Sequence, residues 1–254
     1  MNNTLLKGFD IIELLAQSDK PLALTDIANA LHLAKSNVHR LLQALTERNY
    51  IVRIPPNGRY VASIKLWELG SAVLAKLDLK RHAQDVMDHL LTQTGETVHL
   101  SVLDGDEVVY VHKLDSPNPV RSYTQIGGRA LSHCVATGKA MLAYRPPAAL
   151  ERRALLLHQG TDATITDPKQ FLLEMNRIRK QGFAVNRGEW NANVAGIAAP
   201  VTDARGEVIA AIGLSGPKDR FKPARLKRFA LLIIDAGQQV SQRLGGHLPT
   251  AVWR

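Results

Sequence analysis

The sequence predicts a two-domain α+β protein, with a winged helix-turn-helix at the N-terminus, a connecting helix, and a larger domain in which helices flank a mostly antiparallel sheet. Three observations carry this. The segment TDIANALHLAKSNVHRLLQALTER, 25–48, reads as two short helices joined by a tight turn. Asn57-Gly58, a hairpin signal, lies between two short β-type runs. Beyond Lys80, helical segments alternate with apolar runs joined by the polar turns Asp104–Asp106 and Asp203–Glu207, a pattern of hairpins packed under helices.

The elements follow in order. Residues 5–17 form an amphipathic helix with Phe9, Ile12, Leu15 and Ala16 on its apolar side. Thr25 is a helix N-cap for the next helix, with Asp26 in its first turn near the positive end of the dipole. Ile27, Ala28 and Leu31 recur at helical spacing and face a small core. His32, Leu33 and Ala34 make the turn, with Leu33 filling the angle between the helices. The second helix starts around Lys35 or Ser36, and Val38, Leu41, Leu42 and Leu45 are its buried stripe. Lys35, Ser36, Asn37, His39 and Arg40 are left on its outward, N-terminal side. Asn and Arg bond base edges bidentately, and Ser and Lys suit phosphates or bases. This is the layout of a helix placed in a DNA major groove.

A wing follows. Tyr50–Val52 and Tyr60–Ala62 read as paired strands, with Arg53 and Arg59 flanking the turn where either reaches a phosphate or the minor groove. From Lys35 to Lys65 there are six basic residues and one acid. The competing reading is a three-helix scaffold with a solvated basic face. The wing and the local charge favour DNA. Ile64–Leu79 is a second amphipathic helix, with Leu66, Leu69, Val73, Leu74 and Leu77 apolar. It either pairs with a second copy of itself or packs on its own domain.

The larger domain is expected to run as follows. Arg81–Thr94 is helical; Val98–Leu103 and Val108–Leu114 are strands; Arg121–Gln125 alternates like a strand until Gly127-Gly128 breaks it. Thr137–Ala143 and Ala148–Leu157 are helical. Thr166 caps a helix closed by Gly182. Ile197–Val201 and Val208–Leu214 are strands, Pro223–Leu244 is a closing helix, and GGHLPTAVWR is a loose tail. The domain boundaries that result are 1–63 for the winged helix, 64–79 for the linking helix, 80–246 for the second domain and 247–254 for a flexible tail.

Composition narrows the function classes. The 254 residues carry a formal net charge of +9, which favours a polyanionic partner. Residues 1–70 hold eight basic and six acidic side chains, so the charge beside the second helix says more than the total. Cys134 is the single cysteine, which rules out an intrachain disulfide and a multi-thiolate zinc site and fits a reducing cytoplasm. The N-terminus lacks a signal-peptide pattern, and no apolar run approaches the roughly 18 residues of a membrane span. A soluble cytoplasmic protein with no membrane partner is expected.

Three blocks give the chain a resemblance to the IclR family of bacterial transcriptional regulators: the winged helix with KSNVHRLLQAL, the segment GGRALSHCVATGKAMLA from Gly127 to Ala143, and RGEWNANVAGIAAPVTDARGEVIAAIGLSGP from Arg187 to Pro217. The resemblance spans nearly the whole length. It implies a GAF-like second domain that binds a small-molecule effector, no catalysis and no cofactor, a double-stranded DNA operator, and assembly as a homodimer or dimer of dimers. It implies an effector site from Cys134, Ala136, Thr137 and Gly138, from Asn186, Glu189, Trp190 and Gly196, and from Gly213 and Ser215. At Thr137 and Gly138 a helix N-terminus favours a carboxylate. Asn186 replaces a common acid, Gly213 a hydroxyl in some members, and Trp190 is unusually large. These departures imply a more apolar pocket and an aromatic acid as ligand. The resemblance also implies that the effector shifts the winged helices through residues 64–79.

Other constellations are weaker. His133-Cys134 has poor geometry for one ion and no HxxxH or CxxC spacing occurs, so no metal site is assigned, although His99, His112 and His133 remain open as ligands. Neighbours on a strand point to opposite faces, which separates Cys134 from His133 as a nucleophile and base. Ser132 and Ser215 lack a GxSxG context, and ATGK at 136–139 lacks phosphate-loop glycines. The basic run Lys218–Arg228 reads as a solvated helix face or a subunit contact. The alternative function from a different class is a small-molecule sensor whose winged helix contacts protein rather than DNA.

Overall fold

The computed structural model describes residues 3–77, 79–121 and 124–247. The chain divides into two compact units, Met1–Leu77 and Asp78–Arg254.

The first unit contains α1 (Asn3–Gln17), α2 (Leu24–Ala30), α3 (Lys35–Glu47), β1 (Ile51–Ile54), β2 (Arg59–Ala62) and α4 (Ile64–Leu77). Its core joins Ile11 and Leu15 of α1 to Ile27, Val38, Leu42, Ile51 and Tyr60. The buried side of α1 therefore differs from the expected one. Ile11 is fully buried, whereas Phe9 is about half exposed. The cap of α2 also differs: the helix starts at Leu24, ahead of Thr25, and Ala23 is the N-cap. Asp26 sets that start, because its carboxylate accepts the Ala23 N–H at 3.1 Å, which is one half of a capping box. The turn to α3 passes through His32 in the left-handed region, φ 52°, and Leu33 packs partly into the core.

Strands β1 and β2 pair antiparallel from Ile51↔Ala62 to Ile54↔Arg59. Gly58 closes the turn at φ 63°, a conformation that favours glycine. Tyr50 stays outside the strand because its N–H bonds the Leu45 carbonyl at the end of α3. Leu22 bridges Tyr60 through two backbone hydrogen bonds of 3.0 and 2.8 Å, which fastens the wing to the chain before α2.

The second unit contains α5 (Leu79–Thr94), β3 (Thr97–Asp104), β4 (Glu107–Leu114), β5 (Arg129–Leu131), α6 (Ala136–Leu142), α7 (Pro147–Ala154), α8 (Pro168–Gln181), β6 (Ala184–Arg187), β7 (Val194–Thr202), β8 (Val208–Pro217) and α9 (Pro223–Arg243). Its six-stranded antiparallel sheet has the order β5-β4-β3-β8-β7-β6. Tyr110, Ala198 and Ala211 meet Ala140 and Met141 of α6, Leu150 of α7 and Phe171, Met175 and Ile178 of α8. Helices α5 and α9 pack on each other and on β3, β7 and β8.

Arg121, Thr124 and Gln125 belong to no strand, and Ser122 and Tyr123 lie outside the described residues. Gly127 at φ 81° and the Gly128–Gln125 turn redirect the chain, so it joins the sheet only at Arg129. Asp167, not Thr166, caps α8: its carboxylate accepts the Gln170 N–H at 2.7 Å, and Pro168 fits the first helical position. The helix does end at Gly182, φ 78°. The start of the expected tail is held, since Gly245 bridges Asp203 and the Gly246 N–H bonds the Ser241 carbonyl. Residues 248–254 lie outside the described residues.

Candidate DNA-recognition helix and ligand cavity

Helix α3 buries Val38, Leu41 and Leu42 and turns its other side to solvent. On that side Lys35, Ser36, His39 and Arg40 are exposed, and Asn37 is half-buried. No side chain caps the start of α3, whose N-cap is Ala34. Its first-turn N–H groups and dipole are therefore presented with the exposed basic residues, as a phosphate contact requires. Thr25 is exposed in the first turn of α2.

The two wing arginines are placed differently. Arg53 is exposed and its guanidinium lies along Gly58, where an added Cβ would come within 2.9 Å of it. Arg59 donates to the Pro21 carbonyl at 3.0 Å and lies 3.8 Å from Asp26, so part of its bonding capacity holds the wing to the body. Sequence reasoning passed over Lys65, which donates to the Arg48 carbonyl at 2.8 Å and lies over the Tyr50 ring.

The second unit holds a cavity of about 750 Å³ between the sheet, the start of α6, the β6–β7 loop and the segment before β5. Ala136, Thr137, Asn186, Trp190, Gly196 and Ser215 line it, whereas Cys134, Gly138, Glu189 and Gly213 do not. Glu189 faces Lys139 instead, 2.7 Å away, and both side chains are buried. Burial pushes the Glu189 carboxyl upward, against the pull of Lys139. Gly213 lies beneath Thr137, whose methyl would stand 2.8 Å from an added Cβ. Gly138 is pressed against the Ser132 backbone, leaving 2.1 Å for a Cβ. Both glycines serve close packing next to the cavity. Burial also raises the Cys134 thiol to about 11.

The lining is more polar than the sequence implied. The Asn186 side-chain oxygen is already used, accepting the N–H groups of Gly188 and Glu189. Eleven lining residues were absent from the sequence-based set, His99, Tyr110, Arg121, Thr124, Gln125 and Arg129 among them. His99 had a usable signal. Period-two alternation along β3 places it on the same face as Ser101, and sheet register sets it opposite Gly213. Nothing local marks the residues of the segment before β5.

His99 organises two hydroxyls. Its Nε2 is 2.5 Å from Ser215 Oγ, and its Nδ1 is 3.4 Å from Thr124 Oγ1. Burial first, and then the charge of Lys113, hold the imidazole down at about 4, so it is neutral near pH 7. A neutral ring has one N–H and one acceptor nitrogen. One hydroxyl therefore accepts from the ring and keeps its proton for a ligand, while the other donates to the ring and offers lone pairs.

No aspartate or glutamate lines the cavity among the described residues; its charged side chains are Arg121 and Arg129. Arg129 is matched by Asp104 at 2.5 Å and Glu107 at 3.1 Å. Arg121 has Asp115 at 3.9 Å, and Lys113 shares that acid at 3.0 Å. The cavity therefore presents guanidinium donors to a ligand with no carboxylate in its described lining. His133 is held away from it, with Nε2 donating to the His158 carbonyl and Nδ1 accepting from Arg153. His112 is held by Gln84. Among the described residues, no group of three or more His, Cys, Asp or Glu side chains is placed to bind a metal ion.

Comparison with known proteins agrees with both halves of this picture. The IclR helix-turn-helix domain matches residues 4–55, and the C-terminal domain of the bacterial transcriptional regulator IclR matches residues 71–242. The HTH-type transcriptional regulator KdgR of Escherichia coli is 32% identical over 247 residues, which are 96% of this chain and 94% of KdgR. The IclR crystal structure from Thermotoga maritima superposes with a TM-score of 0.83 at 28% identity, covering 96% of this chain and all of that one. An IclR homolog from Microbacterium hydrocarbonoxydans, complexed with 4-hydroxybenzoate, has the same fold, with a TM-score of 0.84 at 23% identity over 95% of this chain and 99% of that one. These relatives are regulators rather than enzymes. The chain belongs to the IclR family of bacterial transcriptional regulators, with the family's helix-turn-helix domain ahead of its C-terminal domain.

Proposed function

We propose that this regulator binds its operator through α3 and releases or re-engages it when a small organic acid occupies the cavity of the second unit. The observation that carries the reading is the cavity itself: about 750 Å³, lined by two arginines and no acid among the described residues. The volume lies in the range of small-molecule sites. The 4-hydroxybenzoate complex of the Microbacterium homolog is consistent with an organic acid as effector.

Ser36, Asn37, His39 and Arg40 make the groove contacts, with Lys35 and the wing's Arg53 on the phosphate backbone and Arg59 joining them when the wing closes on DNA. The protein acts as a homodimer, or a dimer of dimers, on a two-fold or repeated site. Exposed apolar side chains support self-association: Leu5, Leu6 and Phe9 on α1, and Ile64, Trp67 and Leu69 on α4. The cytoplasm is its place of action, and among the described residues no helix is long and apolar enough to cross a membrane.

Footprinting on the DNA beside the gene, at two salt concentrations and with sedimentation of the free protein, tests this. A protected two-fold or repeated site, an affinity that falls steeply with salt, and a dimer or larger species are expected. Protection without sequence preference, or a monomer on one half-site, would contradict the reading.

A further inference from the structure

We propose that Arg121 receives the carboxylate of the effector and that Arg220, anchored on the buried Glu96, holds Arg121 in place. This deepens the reading of the cavity as the effector site and rests on it.

Arg121 is the cavity cation with the least local compensation. Arg129 is spanned by two acids at 2.5 and 3.1 Å. Among the described residues Arg121 has a single acid, Asp115 at 3.9 Å, and Lys113 stands closer to that acid. Its guanidinium is about half exposed and presents a planar fork of donors suited to a carboxylate. His99, flanked by Ser215 and Thr124, provides one donor and one acceptor hydroxyl beside it. The complementary ligand is a small carboxylate that also carries a hydroxyl or carbonyl oxygen.

The wall that carries Arg121 belongs to no strand, so something else must fix it. Arg220 does so from the far side: its guanidinium donates to the Val120 carbonyl at 2.8 Å, next to Arg121 in the chain. The same guanidinium lies 3.0 Å from Glu96, whose side chain is 1% exposed. Arg225 approaches Glu96 at 3.7 Å, and an added Cβ at Gly216 would come within 2.4 Å of the carboxylate. Glu96 is thus confined by packing and by two cations, and it orients Arg220 toward Val120. Lys113 in turn donates to the Thr124 carbonyl at 2.7 Å and fixes the residue whose hydroxyl faces His99. Arg220 and Glu96 are positioning residues; neither lines the cavity.

The test uses the full-length protein with D-gluconate, pyruvate and 4-hydroxybenzoate, each beside its primary amide, read by thermal shift and calorimetry. At least one acid should bind, and its amide should bind about tenfold to a hundredfold more weakly, the usual effect of losing a charged hydrogen bond. Arg121→Gln should bring acid and amide to equal affinity. Arg220→Gln and Glu96→Gln should narrow the acid-over-amide ratio with the amide affinity unchanged, and Arg220→Lys should restore the ratio. Loss of fold is checked by the unliganded melting temperature; if Arg220→Gln fails to fold, Glu96→Gln and Arg220→Lys decide. Equal binding of acid and amide by the wild type, or a preference that survives Arg121→Gln, overturns the Arg121 assignment. A ratio unchanged in Glu96→Gln and Arg220→Gln overturns the positioning role. Binding of neither acids nor amides overturns the effector-site reading and this inference with it.

Discussion

Lys139 Nζ lies 2.7 Å from a carboxylate oxygen of Glu189, with the two side chains 1% and 5% exposed. Glu174 stands 3.5 Å from the same ammonium. The pair joins α6 to the β6–β7 loop, the two elements that carry Thr137 and Trp190 to the cavity. Removing one partner leaves the other buried and unpaired. Lys139→Met or Glu189→Gln alone should therefore cost about 3–5 kcal/mol in urea unfolding. The Lys139→Met, Glu189→Met double variant should recover most of that loss. Additive losses would show that the two side chains contribute independently.

Gly138 has no room for a side chain. A Cβ there would stand 2.1 Å from the Ser132 carbonyl oxygen, which is backbone and cannot swing aside. Gly138→Ala should destabilise the second unit by on the order of 3 kcal/mol. Gly105→Ala serves as a contrast, since no atom lies within 4 Å of its Cβ and the cost there comes from φ 57° alone. Thermal unfolding that ranks Gly105→Ala as the worse variant would contradict the packing account.

Cys134 is fully buried and its thiol is raised to about 11. The thiolate is the reactive form. Native protein at pH 8 should resist alkylation by iodoacetamide and react only on unfolding. Fast labelling of the native state would place the thiol in contact with solvent.

His99 predicts a pH effect whose sign is fixed. Burial holds it at about 4 in the folded chain, below the ordinary histidine value of 6.5. Between these values the unfolded chain binds a proton that the folded chain does not, so stability falls as pH drops from 6.5 toward 4. The full shift corresponds to about 3 kcal/mol. Glu96 and Glu189, both raised by burial, act in the opposite direction. The clean measurement is thus the difference between wild type and His99→Gln, whose stabilities should diverge in the variant's favour as pH falls through that window. Parallel pH profiles would mean that the imidazole is not desolvated.

Arg40 is exposed on α3 and contributes nothing to the core. Arg40→Ala should leave the melting temperature unchanged and cost about 1–3 kcal/mol in operator binding, with relaxed sequence preference. Lys35→Ala should weaken all sequences alike and reduce the salt slope by about 1. Competition titrations against scrambled DNA separate the two. An unchanged preference in Arg40→Ala would remove it from base readout.

The sequence was most legible where one periodicity ruled a segment. The stripe Val38, Leu41 and Leu42 located α3 and its outward face, and Asn57-Gly58 located the wing. Apolar runs joined by the polar turns Asp104–Asp106 and Asp203–Glu207 located β3, β4, β7 and β8, the middle of the sheet. Its edges were harder. Strand β5 is three residues long and β6 four, too short for a pattern. Caps moved because Asp26 accepts the Ala23 N–H and starts α2 two residues ahead of the expected Thr25 cap, and Asp167 accepts the Gln170 N–H one residue past the expected Thr166 cap. In the cavity, the resemblance pointed to the strand ends and helix start that carry Ser215 and Thr137. It could not show that Glu189 turns to Lys139, or that a strandless segment supplies Arg121, since both depend on contacts distant in the chain.

The most direct test of the central claim is operator affinity, measured at fixed salt by fluorescence anisotropy, as a function of the concentration of an acid that binds the free protein. Linkage requires that the acid change operator affinity by the same factor by which operator changes acid affinity. A reciprocal change of roughly fivefold or more, abolished by a substitution that removes acid binding, is the predicted result. An acid that fills the cavity and leaves operator affinity unchanged would contradict the account, because a ligand with equal affinity for both states shifts nothing.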